Sequence, residues 1–338
     1  MTLGQVKDRF SLHQVTKLSV TIVVDNFTST VLPNVGPATR PSVKSTNPSR
    51  FLATRESRDS LVAEHGFSAW LTAERVHNNT TISQSVLFDA GVSTDGASDN
   101  LSRLGINPKD AVAFIMSHGH FDHTTGLDGI VRSLYPKTLP IIIHPEFWNR
   151  RRIQIPGREP RELPNVSRSA LTENGFDVIE ESKSPSFILD NTLLVTGEID
   201  RTTEYERGLP GQQQFSNQSW QPDPLTLDDQ AIIVNVKGKG LVVITGCGHA
   251  GIVNTAKYAK KLTGVKKLHA LIGGFHLPDQ PHFIETVNDT IKDLQSLSPD
   301  WIVPAHCTGL AATAALLKKM PQAFVQNSVG TRYDFCSS

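Results

Sequence analysis

Three imidazoles and one carboxylate crowd into six consecutive positions of this chain, His118-Gly119-His120-Phe121-Asp122-His123. The segment follows an apolar run at 110–116 through Ser117 and leads into Thr124-Thr125-Gly126-Leu127. Residues 110–116 read as a buried strand, and 124–134, stopping at Pro136, as a helix. A turn leaving a strand aims alternate side chains to one side, so His118 and His120 can share one metal ion. Asp122 and His123 then open the next helix and can reach a second ion beside it. Neutral imidazole with carboxylate suits Zn²⁺, Mn²⁺ or Fe²⁺. The bland alternative, scattered surface and capping residues, requires four potential ligands to fall together by accident. A chain carrying such a turn needs a fold that gathers strand ends around it.

Composition narrows the class. Of 338 residues, 38% are hydrophobic and 20% charged, enough apolar material for a sizeable core and too much for a disordered chain. Lys and Arg number 33 against 33 Asp and Glu, so no basic field draws nucleic acid or an anionic membrane. Three cysteines, at 247, 307 and 336, form a sparse odd set that argues for a reducing compartment over a disulfide framework. The opening MTLGQVKDRFSLHQ lacks the apolar stretch of a secretory signal. The apolar runs at 20–24, 111–116 and 240–244 fall far short of the roughly 18 residues of a membrane span. The expectation is a cytoplasmic protein with a small-molecule substrate and neither nucleic acid nor membrane as partner. Its oligomeric state is open.

Strands are predicted at 15–25, 67–73, 85–89, 110–116, 139–144, 193–196, 231–236, 240–244, 268–272 and 301–303. Helices are predicted at 99–104, 124–134, 252–262, 285–295 and 311–319. The first half is strand-rich and the second repeats a strand–helix theme. An α/β arrangement of two packed mixed sheets with helices outside satisfies that order. The whole chain, 1–338, reads as one domain with loop insertions near 33–60, 149–164 and 203–228. The second insertion carries five Arg. It is either a solvated surface loop or a lid whose Arg meet an anionic group on a ligand.

Two further His sit just past predicted strands. Gly246-Cys247-Gly248-His249 follows 240–244, and Pro304-Ala305-His306-Cys307 follows 301–303. With the His118–His123 stretch, these resemble the metallo-β-lactamase superfamily, whose motif is HxHxDH and whose fold is an αββα sandwich with the metal site at one edge. The resemblance extends over nearly the whole chain: Asp25-Asn26, Ala63-Glu64-His65-Gly66-Phe67-Ser68, Leu87-Phe88-Asp89-Ala90-Gly91, Thr196-Gly197-Glu198-Ile199, Asp228-Asp229-Gln230-Ala231, the run from Cys247 to Asn254, Gly273-Gly274-Phe275-His276-Leu277 and His306-Cys307-Thr308-Gly309. Together they are similar to the branch related to dihydropterin–ribofuranosylaminobenzene phosphate synthases.

The resemblance implies two zinc-type ions per chain. It assigns His118, His120 and His249 to the first, and Asp122, His123 and His306 to the second. The chain departs from the common pattern at Thr196-Gly197-Glu198, where no His stands, so His249 is expected to replace it. Glu198 is expected at the site rim. Cys247 reads equally as a thiolate ligand or a small buried residue. Asp89 is expected to accept an N–H from a ligand His. His276 reads as a substrate contact or a satisfied buried His, and His65 has the same two readings.

Metals of this kind lower the pKa of a coordinated water and supply a hydroxide nucleophile, with Asp122 orienting it and taking its proton. The resulting expectation is a metal-dependent hydrolase that opens a small cyclic amide or ester. Fungal members similar to this chain open benzoxazolinone-type lactams. The first alternative is a transferase like the dihydropterin-phosphate synthases, with the Arg-rich loop meeting phosphate. The second is a non-catalytic metal-binding or redox-responsive protein with Cys247 and Cys307 as its sensor pair.

Overall fold

Along the strand Ala231–Val236, Ile232, Val234 and Val236 face one hydrophobic core while Ala231 and Ile233 face another. All five are buried, so this strand needs cover on both faces. The computed structural model, which describes residues 11–42, 46–180 and 183–337, supplies that cover as four layers. A seven-stranded sheet runs Ser186–Ile188, Leu193–Val195, Ala231–Val236, Gly240–Thr245, Leu268–Gly274, Trp301–Ala305, with Gln14–Val15 paired to Ala231–Val236. An eight-stranded sheet runs Asp177–Glu180, Pro140–Ile143, Ala111–Ile115, Thr80–Phe88, Ser68–His77, Lys17–Val24, Arg332–Cys336, Ala38–Thr39.

The central core lies between the sheets and includes Val20, Ile22, Phe67, Phe88, Ile115, Ile232, Ile244 and Ile272, all buried. Each such side chain contributes roughly 1.5–3 kcal/mol on burial. Helices Ile252–Thr263, Ile284–Leu297 and Leu310–Lys319 cover the outside of the seven-stranded sheet through Val253, Leu294 and Leu316. Helices Gly96–Leu104, Leu127–Leu134 and Arg168–Glu173 cover the other sheet through Leu101, Ile130 and Leu171. This is the expected αββα sandwich. Among the described residues no helix is long and apolar enough to cross a membrane.

Parallel pairing sets the site. Thr80–Phe88, Ala111–Ile115 and Pro140–Ile143 run parallel, as do Gly240–Thr245, Leu268–Gly274 and Trp301–Ala305. Their C-terminal ends therefore lie together at one edge of each sheet, where crevices form.

Several features differ from the sequence reading. The helix expected at 124–134 is broken into Phe121–Thr124 and Leu127–Leu134. At the break, a Cβ on Gly126 would stand 2.0 Å from the Ala90 carbonyl oxygen, so the chain bends around that loop. The segments read as loops at 149–164 and 203–228 pair with each other. Arg151–Ile153 joins Arg161–Glu162 and Gln212–Ser216, which continues into Ser219–Pro222. Short, Arg- and Gln-rich strands give no alternation to read, and their pairing spans some sixty positions. Arg332–Cys336, absent from the sequence reading, pairs with Lys17–Val24 and buries Tyr333 and Phe335.

Candidate metal centre

The centre is built on a buried carboxylate. Asp89 ends the strand Thr80–Phe88 in a left-handed conformation (φ 57°). Its Oδ1 accepts the Ser117 N–H at 2.7 Å and its Oδ2 accepts the Ser117 hydroxyl at 2.7 Å. Oδ2 also lies 2.7 Å from His123 Nδ1. Donors on every side offset the cost of burying this carboxylate. With Nδ1 as donor, His123 turns a lone pair on Nε2 toward the centre. Two more latches hold the turn. Gly119 N–H donates to Asp228 Oδ2 at 2.8 Å, and Gln230 reaches the Met116 carbonyl at 2.8 Å. Gly119 must be glycine, since a Cβ there would stand 2.3 Å from the Phe147 oxygen.

The structure brings the sequence-named residues together in two groups. His118, His120 and His249 form the first, with ring centroids 4.6 to 4.8 Å apart, and His118 Nε2 lies 3.2 Å from His249 Nε2. Asp122, His123 and His306 form the second. His306 Nε2 lies 3.2 Å from His123 Nε2 and 3.3 Å from Asp122 Oδ2. All six are buried. The groups adjoin, the His118 and His123 rings being 4.3 Å apart. Cys247 Sγ lies between them, within 4.8 Å of donor atoms of His118 and His249 and of His123 and His306.

This donor set fits metal ions. Tetrahedral coordination with bonds near 2.0–2.1 Å places ligand nitrogens about 3.3 Å apart, close to both Nε2–Nε2 separations. Among the described residues, the buried His120 Nε2 has no protein partner. Burial, then the neighbouring imidazoles, holds His118 and His249 well below the ordinary histidine range, and burial followed by Arg151 brings His120 to about 3. These rings are neutral at ordinary pH, as ligation requires. Burial alone would raise the Asp122 carboxyl, but His123, His306 and His120 hold it well below the usual range.

Other residues named from sequence fall as follows. His276 flanks the centre, its ring 4.0 Å from that of His249 and its Nδ1 3.4 Å from Cys247 Sγ. His65 stands at the mouth, largely exposed, with Nε2 3.6 Å from Asp122 Oδ2. Glu198 is not at the rim. It pairs with Lys183 at 3.2 Å and lines a separate cleft with Arg201 and Tyr258. The reason is strand order: Leu193–Val195, which leads to Glu198, is separated from Gly240–Thr245 by Ala231–Val236.

Sequence reasoning gave no role to three supporting carboxylates. Asp25 accepts the His306 N–H at 2.7 Å, Asp228 pairs with the buried Arg151 at 2.6 Å, and Asp229 accepts the Ala250 N–H at 2.9 Å. The signal available was their position, since each lies just outside a strand, Asp25 behind Lys17–Val24 and the others before Ala231–Val236.

His120 and His249 of the first group and Asp122 and His306 of the second line a cavity of about 520 Å³. Phe121, Ile153, Leu163 and Leu209 give it an apolar wall, and none of the described residues lining it is Lys or Arg. The Arg-rich segment spends its charges elsewhere. Arg151 is buried against Asp228, Arg150 pairs with Glu162, and Arg152 lies over the Trp220 ring.

Comparison with known proteins agrees with this geometry. The family described as the metallo-β-lactamase superfamily matches residues 80–306. A 7,8-dihydropterin-6-methyl-4-(β-D-ribofuranosyl)-aminobenzene-5′-phosphate synthase of Methanocaldococcus jannaschii is 29% identical over 276 residues, 79% of this chain and 89% of that protein. An uncharacterized protein of the same organism is 30% identical, covering 79% of this chain and 93% of that one. Among solved structures, a metal-dependent hydrolase of the β-lactamase superfamily superposes with a TM-score of 0.67 at 20% identity, covering 93% of this chain and 98% of that one. The fold, the grouped His and Asp residues and the match across 80–306 place this chain in the metallo-β-lactamase superfamily.

Proposed function

We propose that the protein is a metal-dependent hydrolase that opens a neutral small-molecule lactam or lactone. In this reading His118, His120 and His249 hold one divalent ion, zinc in the first instance, and Asp122, His123 and His306 hold a second. Such ions supply a water of lowered pKa and positive charge for a developing oxyanion. Asp122 orients the attacking water through Oδ2 and accepts its proton. Asp89 keeps His123 in one tautomer, and Asp25 and Asn26 fix the His306 backbone from both sides, at 2.7 Å each. His276 contacts the substrate from the wall beside Cys247.

The observation that carries the substrate class is the cavity. Its size suits a small ligand. One wall is apolar, no described lining residue is Lys or Arg, and the N-terminus of the helix Leu310–Lys319 is already taken by Asp279, which accepts the N–H groups of Leu310 and Ala311. A phosphate group would meet a carboxylate there instead of a donor. The likeness to the phosphate synthase of Methanocaldococcus jannaschii favours a second reading, a transferase acting on a phosphorylated pterin precursor. A panel of neutral lactones and lactams with the metal-loaded chain, run with and without simple phosphate esters, separates the two. Turnover of neutral cyclic substrates without competition by phosphate esters is expected. Tight phosphate-ester competition, or no turnover across the panel, would overturn the hydrolase reading.

A further inference from the structure

Cys247 and Cys307 leave two strands that are not neighbours, Gly240–Thr245 and Trp301–Ala305, yet their Sγ atoms stand 3.1 Å apart. The strand between them, Leu268–Gly274, ends in two glycines. A Cβ on Gly274 would lie 2.8 Å from Cys307 Sγ and 2.7 Å from the Cys247 carbonyl oxygen, so the missing side chain is what lets the sulfurs meet. Closing to a disulfide requires about 1 Å of approach. Cys307 is partly exposed at the cavity, and Cys247 is buried behind it.

From this juxtaposition we propose that Cys247 and Cys307 form a reversible disulfide that weakens metal binding. The oxidant is a small hydroperoxide that enters the cavity. The Cys307 sulfur attacks the terminal peroxide oxygen, the O–O bond breaks, and the alcohol or water leaves with Cys307 as a sulfenic acid. The Cys247 sulfur then attacks the Cys307 sulfur. The S–S bond forms, and hydroxide departs as water with the Cys247 proton. Two thiols lose two electrons in all, and one peroxide gains them. The consequence follows from position: Cys247 Sγ lies within 4.8 Å of donor atoms of both His pairs, and a sulfur bonded to Cys307 can no longer become a thiolate ligand to a metal held there.

The inference does not depend on the substrate class. The test treats the metal-loaded full chain with hydrogen peroxide, then measures free thiols, intact mass, cross-linked peptides and metal content. The chain should lose two of its three thiols and two hydrogens, yield a peptide joining Cys247 to Cys307, and release metal. Dithiothreitol should restore thiols and metal binding. The Cys336→Ser variant, which removes the exposed third thiol, should behave alike, and Cys307→Ser should give no cross-link. A chain that gains oxygen without losing two hydrogens, or that links only through Cys336, overturns the proposal. So does a cross-linked chain that retains its metal.

Discussion

His118, His120 and His249 meet as three rings with no carboxylate among them. Asp122, His123 and His306 bring a carboxylate of their own and two more behind it, Asp89 on the His123 ring and Asp25 on the His306 backbone. Both groups draw on both sheets: His249 and His306 come from the seven-stranded one, the rest from the turn after Ala111–Ile115. The contrast lies in how each stays ready for a cation. The first relies on burial, which keeps its imidazoles deprotonated. The second relies on negative charge. In that second group Cys307 and Asp122 overcome burial and push His306 up to about 9, so metal binding there is coupled to release of a proton.

The largest expected effect comes from breaking the first group. His249→Ala should reduce turnover to background and remove about one metal per chain by elemental analysis, while circular dichroism stays native because the cores lie elsewhere. Full metal content in that variant would dissolve the distinction between the groups. Next is Asp122→Asn, which keeps the shape but removes the second group's own charge. Turnover should fall about 10²–10⁴-fold, the usual worth of general-base assistance. Near-wild-type rates would show that the charge belongs to metal retention alone. Asp89→Asn should weaken metal affinity about 10–100-fold, as loss of a carboxylate behind a ligand histidine typically does. Competition with a chelator reads that shift, and it should be confined to one of the two ions.

A smaller effect concerns what supports the first group. Glu206 accepts the Val253 and Asn254 N–H groups just after His249, at 2.9 and 2.8 Å, and burial pushes its carboxyl up to about 7. A raised carboxyl stabilises the fold fully below the ordinary glutamate range and loses that contribution as pH climbs through about 7. Thermal unfolding should show wild type losing stability relative to Glu206→Gln as pH rises from 5 to 8. Glu198→Ala should have the least effect, leaving metal content unchanged, because its carboxylate is engaged by Lys183 in another cleft. Metal depletion equal to that of His249→Ala would move the first group toward the 196–199 turn.

How far the sequence could be read follows how local each interaction is. Residues 118–123 were legible because the turn that groups them is contiguous. His249 and His306 were legible because each stands one short step beyond an apolar run. Asp25 was quoted without a role, since a lone carboxylate after Val23-Val24 looks like any strand end until His306 comes back to it from 281 positions away. The Arg-rich segment left two readings open, and most of it lies exposed as the surface-loop reading expects, with one exception. Arg151 turns inward to Asp228, a pairing across 77 positions that no periodicity announces. Glu198 was misplaced because pattern shows where a strand ends but not which strands lie between two ends.

That both groups straddle the two sheets bears on how the molecule assembles. An unfolded chain has no comparable site, because residues as distant as His118 and His306 must first be brought to one edge. A metal held by these groups would therefore bind the native state in preference to the denatured one, and its binding energy would become folding energy. Free ion at a hundred times its Kd would add about 2.7 kcal/mol to the stability of the native state for a single site. Scarcity of metal during synthesis would then appear first as a lower yield of folded chain, before any measurement of rate.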